Sequence, residues 1–157
     1  MTYKIYFGDE AREVDAQDAV FKTHERIAAA GGVIVDETGR VLMIFRRGKW
    51  DLPKGKAEEN ESMETCAERE VIEETGVKNI SLTGHLITTY HTYVERGNAI
   101  LKETYWYSFS ASGNQELKPQ LEEDITEIRW ATRGDLDILL RNSYRMIADV
   151  LREGGFY

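Results

Sequence analysis

The feature that most constrains this chain is a glutamate-rich stretch, Glu61–Thr75, whose residue spacing predicts a helix. Ser62 stands where a helix favours an N-cap residue, because its hydroxyl can accept a hydrogen bond from a free backbone N–H. Gly76 stands where a left-handed residue is wanted after the last turn. We therefore expect a helix that starts after Ser62 and stops at Gly76.

Three glutamates of this helix lie on an unusual side. At about 100° per residue, Glu70 and Glu74 share a sector with the small apolar residues, and Glu73 lies at its edge. A solvated acidic helix would place its glutamates opposite the apolar stripe, because burial of an unpaired carboxylate is strongly disfavoured. The spacing therefore predicts that these carboxylates serve a site at the edge of the core.

Such a site needs positive charge. Three like charges at positions i, i+3 and i+4 repel one another, and Arg69 alone cannot neutralise all of them. Carboxylate oxygens without a nearby Cys or His set suit Mg²⁺ or Mn²⁺ rather than zinc. From these residues alone two interpretations stay open, a bound-cation cluster and an ion-pair network at the core edge.

The overall charge limits the partners. With 28 acidic and 20 basic residues the net charge is −8, which argues against binding of a nucleic acid polymer. A small phosphorylated substrate is compatible with this charge if divalent cations stand between its oxygens and the carboxylates. The chain shows neither a membrane-spanning run nor a secretory signal, so we expect a cytoplasmic protein without membrane contact, as a monomer or homodimer. The single cysteine, Cys66, excludes an intramolecular disulfide.

The first part of the chain carries no chemical signature. Residues 3–7 and 12–14 predict a small hairpin about Gly8 and Asp9, and a helical stretch is expected from about Asp15 to Arg26. At 157 residues, one compact domain is the default. We predict an N-terminal extension, residues 1–27, packed on a main domain of residues 28–157.

The main domain alternates strand and helix patterns. Gly32–Asp36 and Val41–Phe45 are rich in β-branched residues and predict an antiparallel hairpin. Ile80–Tyr93 and Leu101–Phe109 predict a long hairpin, and Ile128–Trp130 adds a short strand. A last helix is indicated by apolar residues at helical spacing: Leu136, Leu139, Leu140, Ile147, Val150 and Leu151. The sum is an α/β fold with helices packed on a mixed sheet.

Residues 55–77 also carry a known pattern. The run from Gly55 through Glu61, Arg69-Glu70 and Glu73-Glu74 to Gly76-Val77 fits G-x5-E-x7-R-E-U-x-E-E-x-G-U, where U is aliphatic, at every defined position. This run resembles the Nudix box, and the likeness in element order extends over about residues 28–152. The resemblance implies a Nudix α/β/α sandwich with a mixed β-sheet, and a hydrolase that acts on phosphoric anhydride bonds.

The resemblance also assigns roles by position. It implies a Mg²⁺ cofactor, with Mn²⁺ as the alternative, and an arginine, Arg69, that orients the carboxylates. The implied metal ligands are the carbonyl of Gly55 and the side chains of Glu70, Glu73 and Glu74.

The general base is left open, because members of this family place it differently. Glu70 and Glu73 compete for that role with a later acidic cluster, Glu122–Asp124, within which Glu123 or Asp124 fits the family spacing before Trp130 best. The alternative interpretation of the later cluster is a solvated acidic turn before a strand.

The sequence carries weaker evidence for the substrate than for the reaction. The run Trp50–Gly55 has the form W-x-L-P-K-G, which resembles members acting on dinucleoside polyphosphates and diphosphoinositol polyphosphates. Cations that flank this run are candidates for contacts with outer phosphates, and an aromatic residue of the long hairpin is a candidate for stacking on a nucleobase. The substrate-binding candidates are Arg46, Arg47, Lys54, Lys56 and Tyr90. The alternatives are a strand end in solvent for the arginines and core packing for the tyrosine.

Two classes of function remain from the sequence. The first is a pyrophosphohydrolase, with dinucleoside polyphosphates favoured over ADP-ribose, other nucleotide sugars and nucleoside triphosphates. The second is a non-catalytic Nudix sensor that binds a ligand without cutting it. Because the arginine and the glutamates of the box are all present, the sequence favours the enzyme.

Overall fold

Nine strands and four helices make up the chain, and a computed structural model describes residues 1–157. In chain order they are β1 (Thr2–Phe7), β2 (Glu10–Asp15), α1 (Val20–Thr23), β3 (Glu25–Val35), β4 (Val41–Arg46), β5 (Lys49–Asp51), β6 (Lys54–Lys56), α2 (Met63–Thr75), β7 (Ile80–Glu95), β8 (Asn98–Ala111), β9 (Ile125–Ala131), α3 (Arg133–Leu139) and α4 (Arg145–Glu153). None of the helices combines the length and apolar character that crossing a bilayer requires.

The strands form one mixed sheet, in the order β2-β1-β7-β8-β3-β4-β5, with β6 paired to β3 and β9 paired to β4. The pairs β1·β7 and β3·β8 are parallel, and the other pairs are antiparallel. The predicted α/β class with a mixed sheet is confirmed. The predicted long hairpin is also confirmed as β7 and β8, which pair from Ile80↔Ala111 to Glu95↔Asn98.

Three local predictions are wrong in extent. The last helix, expected as one, is two helices, α3 and α4, because residues 140–144 between them leave the α-helical conformation. The helix expected over Asp15–Arg26 is a single turn, α1: β2 extends to Asp15, turns occupy residues 16–19, and β3 begins at Glu25, where it pairs with Ile100 of β8. The hairpin expected between β3 and β4 is paired only at Val35↔Val41. β3 instead takes β8 and β6 as partners, and β4 takes β9 and β5. The boundary predicted between residues 27 and 28 therefore falls inside β3.

Each face of the sheet buries a core. On one face, α2 places Cys66, Ala67 and Val71 against strand residues that include Ile34 and Phe109. On the other face, α3 and α4 contribute the apolar residues Leu136, Leu139, Ile147, Val150 and Leu151. A smaller cluster joins the N-terminal hairpin and α1 to the sheet. The N-terminal segment therefore packs on the same sheet as the rest of the chain.

The ends of α2 follow the sequence prediction. The Ser62 hydroxyl accepts a hydrogen bond from the backbone N–H of Thr65 at 3.2 Å. Gly76 has a φ of 74°, and its N–H donates to the carbonyl of Ile72. Both caps are local features of the sequence, and they fix where the glutamates of α2 begin and end.

Candidate metal and phosphate site

A cleft of about 700 Å³ runs from the end of β6 to the N-terminal hairpin. Acidic residues of α2 and cations of β4, β6 and β8 line it together. Of the residues chosen from the sequence, the cleft is lined by Arg46, Arg47, Lys54, Gly55, Lys56, Arg69, Glu70, Glu74 and Glu123. The fold therefore joins the predicted metal-binding residues and the predicted phosphate-binding cations in one space.

Arg69 organises the acidic side of the cleft. Its guanidinium donates to both carboxylate oxygens of Glu61, at 2.7 and 2.9 Å. One of its terminal nitrogens also donates to Glu70 at 2.8 Å and to Glu73 at 3.2 Å. The hydrogen bonds from Arg69 lower the pKa of Glu61 to about 2. Because Arg69 donates also to the carbonyl of Lys56 at 3.1 Å, it ties α2 to β6.

Glu70 lies directly against Gly55. A Cβ atom added at Gly55 would overlap the Glu70 carboxylate, so glycine leaves the room that lets this carboxylate lie against the backbone of β6. The carbonyl of Gly55 also accepts a weak hydrogen bond from the thiol of Cys66 at 3.6 Å. Burial raises the pKa of Glu70, and the charges of Glu73 and Glu123 act in the same direction.

Glu74 is the most buried carboxylate of the helix, with 4% of its surface exposed. It accepts a hydrogen bond from the backbone N–H of Lys54 at 3.1 Å. Burial raises the pKa of Glu74 to about 8, although the charge of Lys54 opposes the shift. A buried carboxylate of this kind is stabilised in its charged form when a cation stands beside it.

The residues fit a divalent cation. All the side-chain donors are carboxylate oxygens, which suit Mg²⁺ or Mn²⁺, and Glu70 and Glu74 both line the cleft beside Gly55. The third predicted ligand, Glu73, is 45% exposed, pairs with Arg69 and lies outside the cleft lining. No three acidic side chains converge as a preformed ligand set, because Arg69 holds Glu70 and Glu73.

Four cations predicted from the sequence line the basic side, and each has an acidic partner. Lys54 pairs with the buried Asp51 at 2.7 Å, and Lys56 pairs with Glu95 at 3.0 Å. The two arginines pair with the later acidic turn, Arg46 with Glu123 at 3.8 Å and Arg47 with Asp124 at 3.0 Å.

Sequence reasoning missed two residues on the cleft floor, Lys102 of β8 and His91 of β7. Lys102 lies opposite His91 and makes no ion pair; its ammonium lies 4.9 Å from the centre of the Tyr93 ring. Burial, together with the nearby charges of Lys54, Lys56 and Arg46, lowers the pKa of Lys102 to about 8. Burial also lowers the pKa of His91 to about 4, and its Nδ1 has no hydrogen-bond partner.

A signal for Lys102 existed in the sequence. Residues 100, 102, 104 and 106 share one face of β8, and Ile100, Thr104 and Trp106 on that face are buried. A lysine within a stripe of otherwise buried residues is unusual, and this break in the pattern singles out Lys102.

The three residues of the later acidic turn, Glu122–Asp124, do not all line the cleft. Glu123 lines the cleft, whereas Glu122 and Asp124 do not. Asp124 adopts a left-handed conformation with φ of 62°, and its carboxylate faces Arg47.

Tyr90, expected among the substrate-binding residues, also lies outside the cleft. The alternation of β7 puts Tyr90 on the face opposite to His91, where its ring packs edge-on against Tyr3.

The fold and this site define an α/β protein with the Nudix fold. The structure is similar to that of the C. elegans Ap4A hydrolase binary complex, with a TM-score of 0.66 and 19% identity over 82% of this chain and 95% of that one. It is also similar to a bifunctional NMN adenylyltransferase/ADP ribose pyrophosphatase from Francisella tularensis, complexed with AMP and a manganese ion. For that structure the TM-score is 0.58, with 18% identity over 84% of this chain and 43% of that one.

Residues 25–151 match the family model of the NUDIX domain, and the chain belongs to the Nudix family. It is 29% identical over 137 residues to the putative mutator protein MutT4 of Mycobacterium tuberculosis, covering 80% of this chain and 54% of that protein. It is 28% identical over 120 residues to the putative 8-oxo-dGTP diphosphatase of Bacillus subtilis, covering 74% of each. This chain thus spans about half the length of the Mycobacterium protein.

Proposed function

We propose that this chain is a Mg²⁺-dependent pyrophosphohydrolase that cleaves a phosphate–phosphate bond in a nucleoside diphosphate-linked compound, with dinucleoside polyphosphates as the favoured substrates. One observation carries the proposal. The carboxylates of the Nudix box and an unpaired, largely buried lysine, Lys102, line the same cleft. An acidic cation site beside an unneutralised cation suits a substrate that carries several phosphates.

Glu70 and Glu74, with the carbonyl of Gly55, are the groups that would hold the metal. When bound, the metal neutralises phosphate charge and lowers the pKa of a bound water. Arg69 keeps Glu70 in place through its 2.8 Å hydrogen bond, and the backbone N–H of Lys54 does the same for Glu74 at 3.1 Å. Glu70 and Glu74 are therefore held rigidly against β6, and we call this pair of carboxylates, with the carbonyl of Gly55, the acidic corner.

The basic side favours a polyphosphate over a single diphosphate. The charges of Lys54, Lys56 and Arg46 are close enough to Lys102 to lower its pKa, so they repel the Lys102 ammonium when no anion lies between them. A chain of phosphates would pair with Lys102 and reduce this repulsion. ADP-ribose and other nucleotide sugars carry fewer phosphate charges and would leave more of the repulsion in place, so we rank them second.

Hydrolysis needs a group that accepts a proton from the attacking water. As the water oxygen bonds to phosphorus, the bridging oxygen leaves with the other phosphoryl group, and a carboxylate takes the proton. Within the later acidic turn, Glu123 is the residue that lines the cleft, and its charge contributes to the raised pKa of Glu70. We propose Glu123 as the general base, with Glu70 as the alternative.

The proposal is tested by product analysis on a panel of diphosphate compounds in the presence of Mg²⁺. The panel contains dinucleoside polyphosphates, ADP-ribose, nucleoside triphosphates and 8-oxo-dGTP, since relatives or structural neighbours carry names of these activities. Glu74→Gln should lower kcat by about a hundredfold or more, because a neutral amide is a poor metal ligand. Glu68→Gln, an exposed change on the same helix, is the control and should retain full turnover.

Tight binding of one compound by the wild-type protein without turnover of any would overturn the enzyme and favour the sensor. A second comparison tests which residue is the general base. Glu123→Gln should lower kcat by about a hundredfold, the usual contribution of a general base, whereas Asp124→Asn should leave it within about twofold. Equal kcat values for Glu123→Gln and the wild type would favour Glu70 as the general base.

A further inference from the structure

The N-terminal hairpin, β1 and β2, lies before the residues that match the NUDIX domain, yet it reaches the cleft. Tyr6 of β1 and Gly8 of the turn line the same space as the metal-binding glutamates. The hairpin enters the sheet through β1, which pairs in parallel with β7 at three positions, Ile5↔Tyr90, Tyr6↔His91 and Phe7↔Thr92.

The strand register makes Tyr6 part of the cleft floor. Tyr6 lies beside His91 of β7, and His91 lies beside Lys102 of β8. Directly paired residues of a sheet point to the same face. A row of Tyr6, His91 and Lys102 therefore crosses three strands, and the hairpin extends the floor beyond the phosphate-binding cations.

Contacts with α4 fix this extension. The Tyr6 hydroxyl donates to the Asp149 carboxylate at 2.6 Å, and Lys4 pairs with the same carboxylate at 3.1 Å. The Arg145 guanidinium donates to the carbonyl of Asp9 at 3.4 Å. These contacts bring the turn of the hairpin next to the first turn of α4, where Tyr144 and Met146 also line the cleft.

This end of the cleft differs in chemistry from the rest. Tyr6, Gly8, Thr92, Tyr144 and Met146 carry no formal charge, whereas the lining contributed by α2, β4 and β6 is mainly charged. Tyr144 is 39% exposed, so its ring is available to a ligand. β1 is separated from β3 by β7 and β8, which corresponds to three interstrand spacings, or about 14 Å. A ligand held at the acidic corner can therefore reach this end only with a group beyond its phosphates.

We infer that the N-terminal hairpin is a specificity element that, with Tyr144 and Met146, forms the end wall for the uncharged aromatic end group of the substrate, a nucleobase. This inference rests on the proposed function, because it assigns the part of the substrate that lies beyond the cleaved phosphates. Aromatic and thioether side chains make favourable contacts with a planar ring of any base.

The test compares a nucleoside polyphosphate with inorganic tripolyphosphate, which lacks the end group. Tyr144→Ala removes a wall residue, and Gly8→Asn places a side chain at the turn, where an added Cβ meets nothing within 4 Å. Asparagine tolerates the positive φ of 65° at Gly8. The matched controls are Ile138→Ala, an exposed apolar truncation outside the cleft, and Gly39→Asn, at another open glycine with a positive φ of 87°.

Tyr144→Ala should raise KM for the nucleotide by about tenfold, the usual effect of losing one base contact. Gly8→Asn should raise KM by a similar factor, because its added side chain occupies space at the end wall. Both variants should keep kcat within about twofold. KM for tripolyphosphate should not change, and neither control should change either value. Equal effects on both ligands, or no effect on the nucleotide, would overturn the inference. If the wild type hydrolyses neither ligand, the proposed function fails. The end wall is then tested by calorimetry: Kd values of the nucleotide and of tripolyphosphate are measured with Ca²⁺ for the wild type, the two wall variants and the two controls.

Discussion

At the scale of single residues, Lys102 is unfavourable for folding, and we propose that it serves substrate binding. Its ammonium is largely buried and has no acidic partner, and burial with the neighbouring cations lowers its pKa to about 8. Removal of a charge from water is unfavourable unless a counter-charge replaces the solvent. The free protein therefore keeps an unneutralised cation on the cleft floor, where a phosphate group would neutralise it.

We predict that Lys102→Met stabilises the free protein and weakens substrate binding. The free energy of unfolding at pH 7 should rise by about 1 to 2 kcal/mol, because the buried charge is gone. KM for the polyphosphate substrate should rise at least about tenfold, because a charge-assisted contact is lost. Urea unfolding and steady-state kinetics measure the two effects. Lys78→Met, at an exposed lysine, is the control, and a less stable Lys102→Met protein would contradict the prediction.

The same residue predicts a pH dependence. Because the pKa of Lys102 is lower in the folded protein, about 8, than its ordinary value of 10.5, the folded state is penalised below pH 8. The penalty is relieved as the pH rises from about 8 to 10.5, so the stability advantage of Lys102→Met should shrink over that window. KM of the wild type should rise above pH 8 as the ammonium loses its proton, and Lys102→Arg should flatten this rise. If the KM of Lys102→Arg rose with pH in the same way as that of the wild type, a group other than Lys102 would cause the rise.

At the scale of elements, α2 is the unit on which the acidic corner is built. Its N-cap at Ser62 and C-cap at Gly76 set its length, and Arg69 joins its middle to the loop before it and to β6. Around the C-cap, the backbone N–H of Lys118 donates to the carbonyl of Thr75 at 2.8 Å. The loop after β8 is thus held to the end of α2, next to Glu74.

We predict that Gly76→Ala lowers the free energy of unfolding by about 1 kcal/mol or more. The cause is twofold: alanine disfavours the φ of 74°, and its Cβ would lie 3.1 Å from the backbone nitrogen of Lys118. Gly113→Ala is a matched control, because Gly113 has a φ of 75° and open space around its Cα. Chemical denaturation should show a larger loss for Gly76→Ala than for Gly113→Ala. Equal losses would mean that backbone strain alone, and not the contact with Lys118, decides the cost.

At the scale of the whole molecule, the N-terminal hairpin joins the rest of the sheet through one short strand pairing, a small apolar cluster and polar contacts with α4. β1 pairs with β7 at only three positions, and the Tyr6–Asp149 hydrogen bond is its main polar link to α4. Segments held by few contacts open locally more often than the core does. We therefore expect the hairpin, and with it the proposed end wall of the cleft, to open locally more often than the central strands β3 and β8.

We predict that Asp149→Ala speeds amide hydrogen exchange within residues 2–15 by about tenfold, because the loss of the partly buried hydrogen bond from Tyr6 and of the ion pair with Lys4 costs about 1 to 2 kcal/mol locally. Exchange in β3 and β8 should not change. Asp137→Ala is the control, since it removes a comparable bond, from the Tyr157 hydroxyl at 2.7 Å, elsewhere on the surface. A uniform increase in exchange across the chain would show that Asp149 supports the whole fold instead of the hairpin.

The sequence by itself determined the features that depend on neighbouring residues. The caps of α2, the spacing of its glutamates and the long hairpin of β7 and β8 were all predicted, because helix periodicity, capping and strand alternation act over a few residues. The family and its mixed-sheet fold also followed from the run of residues 55–77, whose pattern is local.

Only the tertiary structure decided which remote residues meet. The helix expected over Asp15–Arg26 shrinks to the single turn α1, because β2 extends to Asp15, turns occupy residues 16–19, and β3 begins at Glu25, where it pairs with β8. The register of β7 placed His91 in the cleft and Tyr90 outside it. Burial of Lys102 and the approach of Tyr6 depend on elements far apart in the chain. Charge neutralisation and the lining of a cleft are set by such contacts, which no local pattern records.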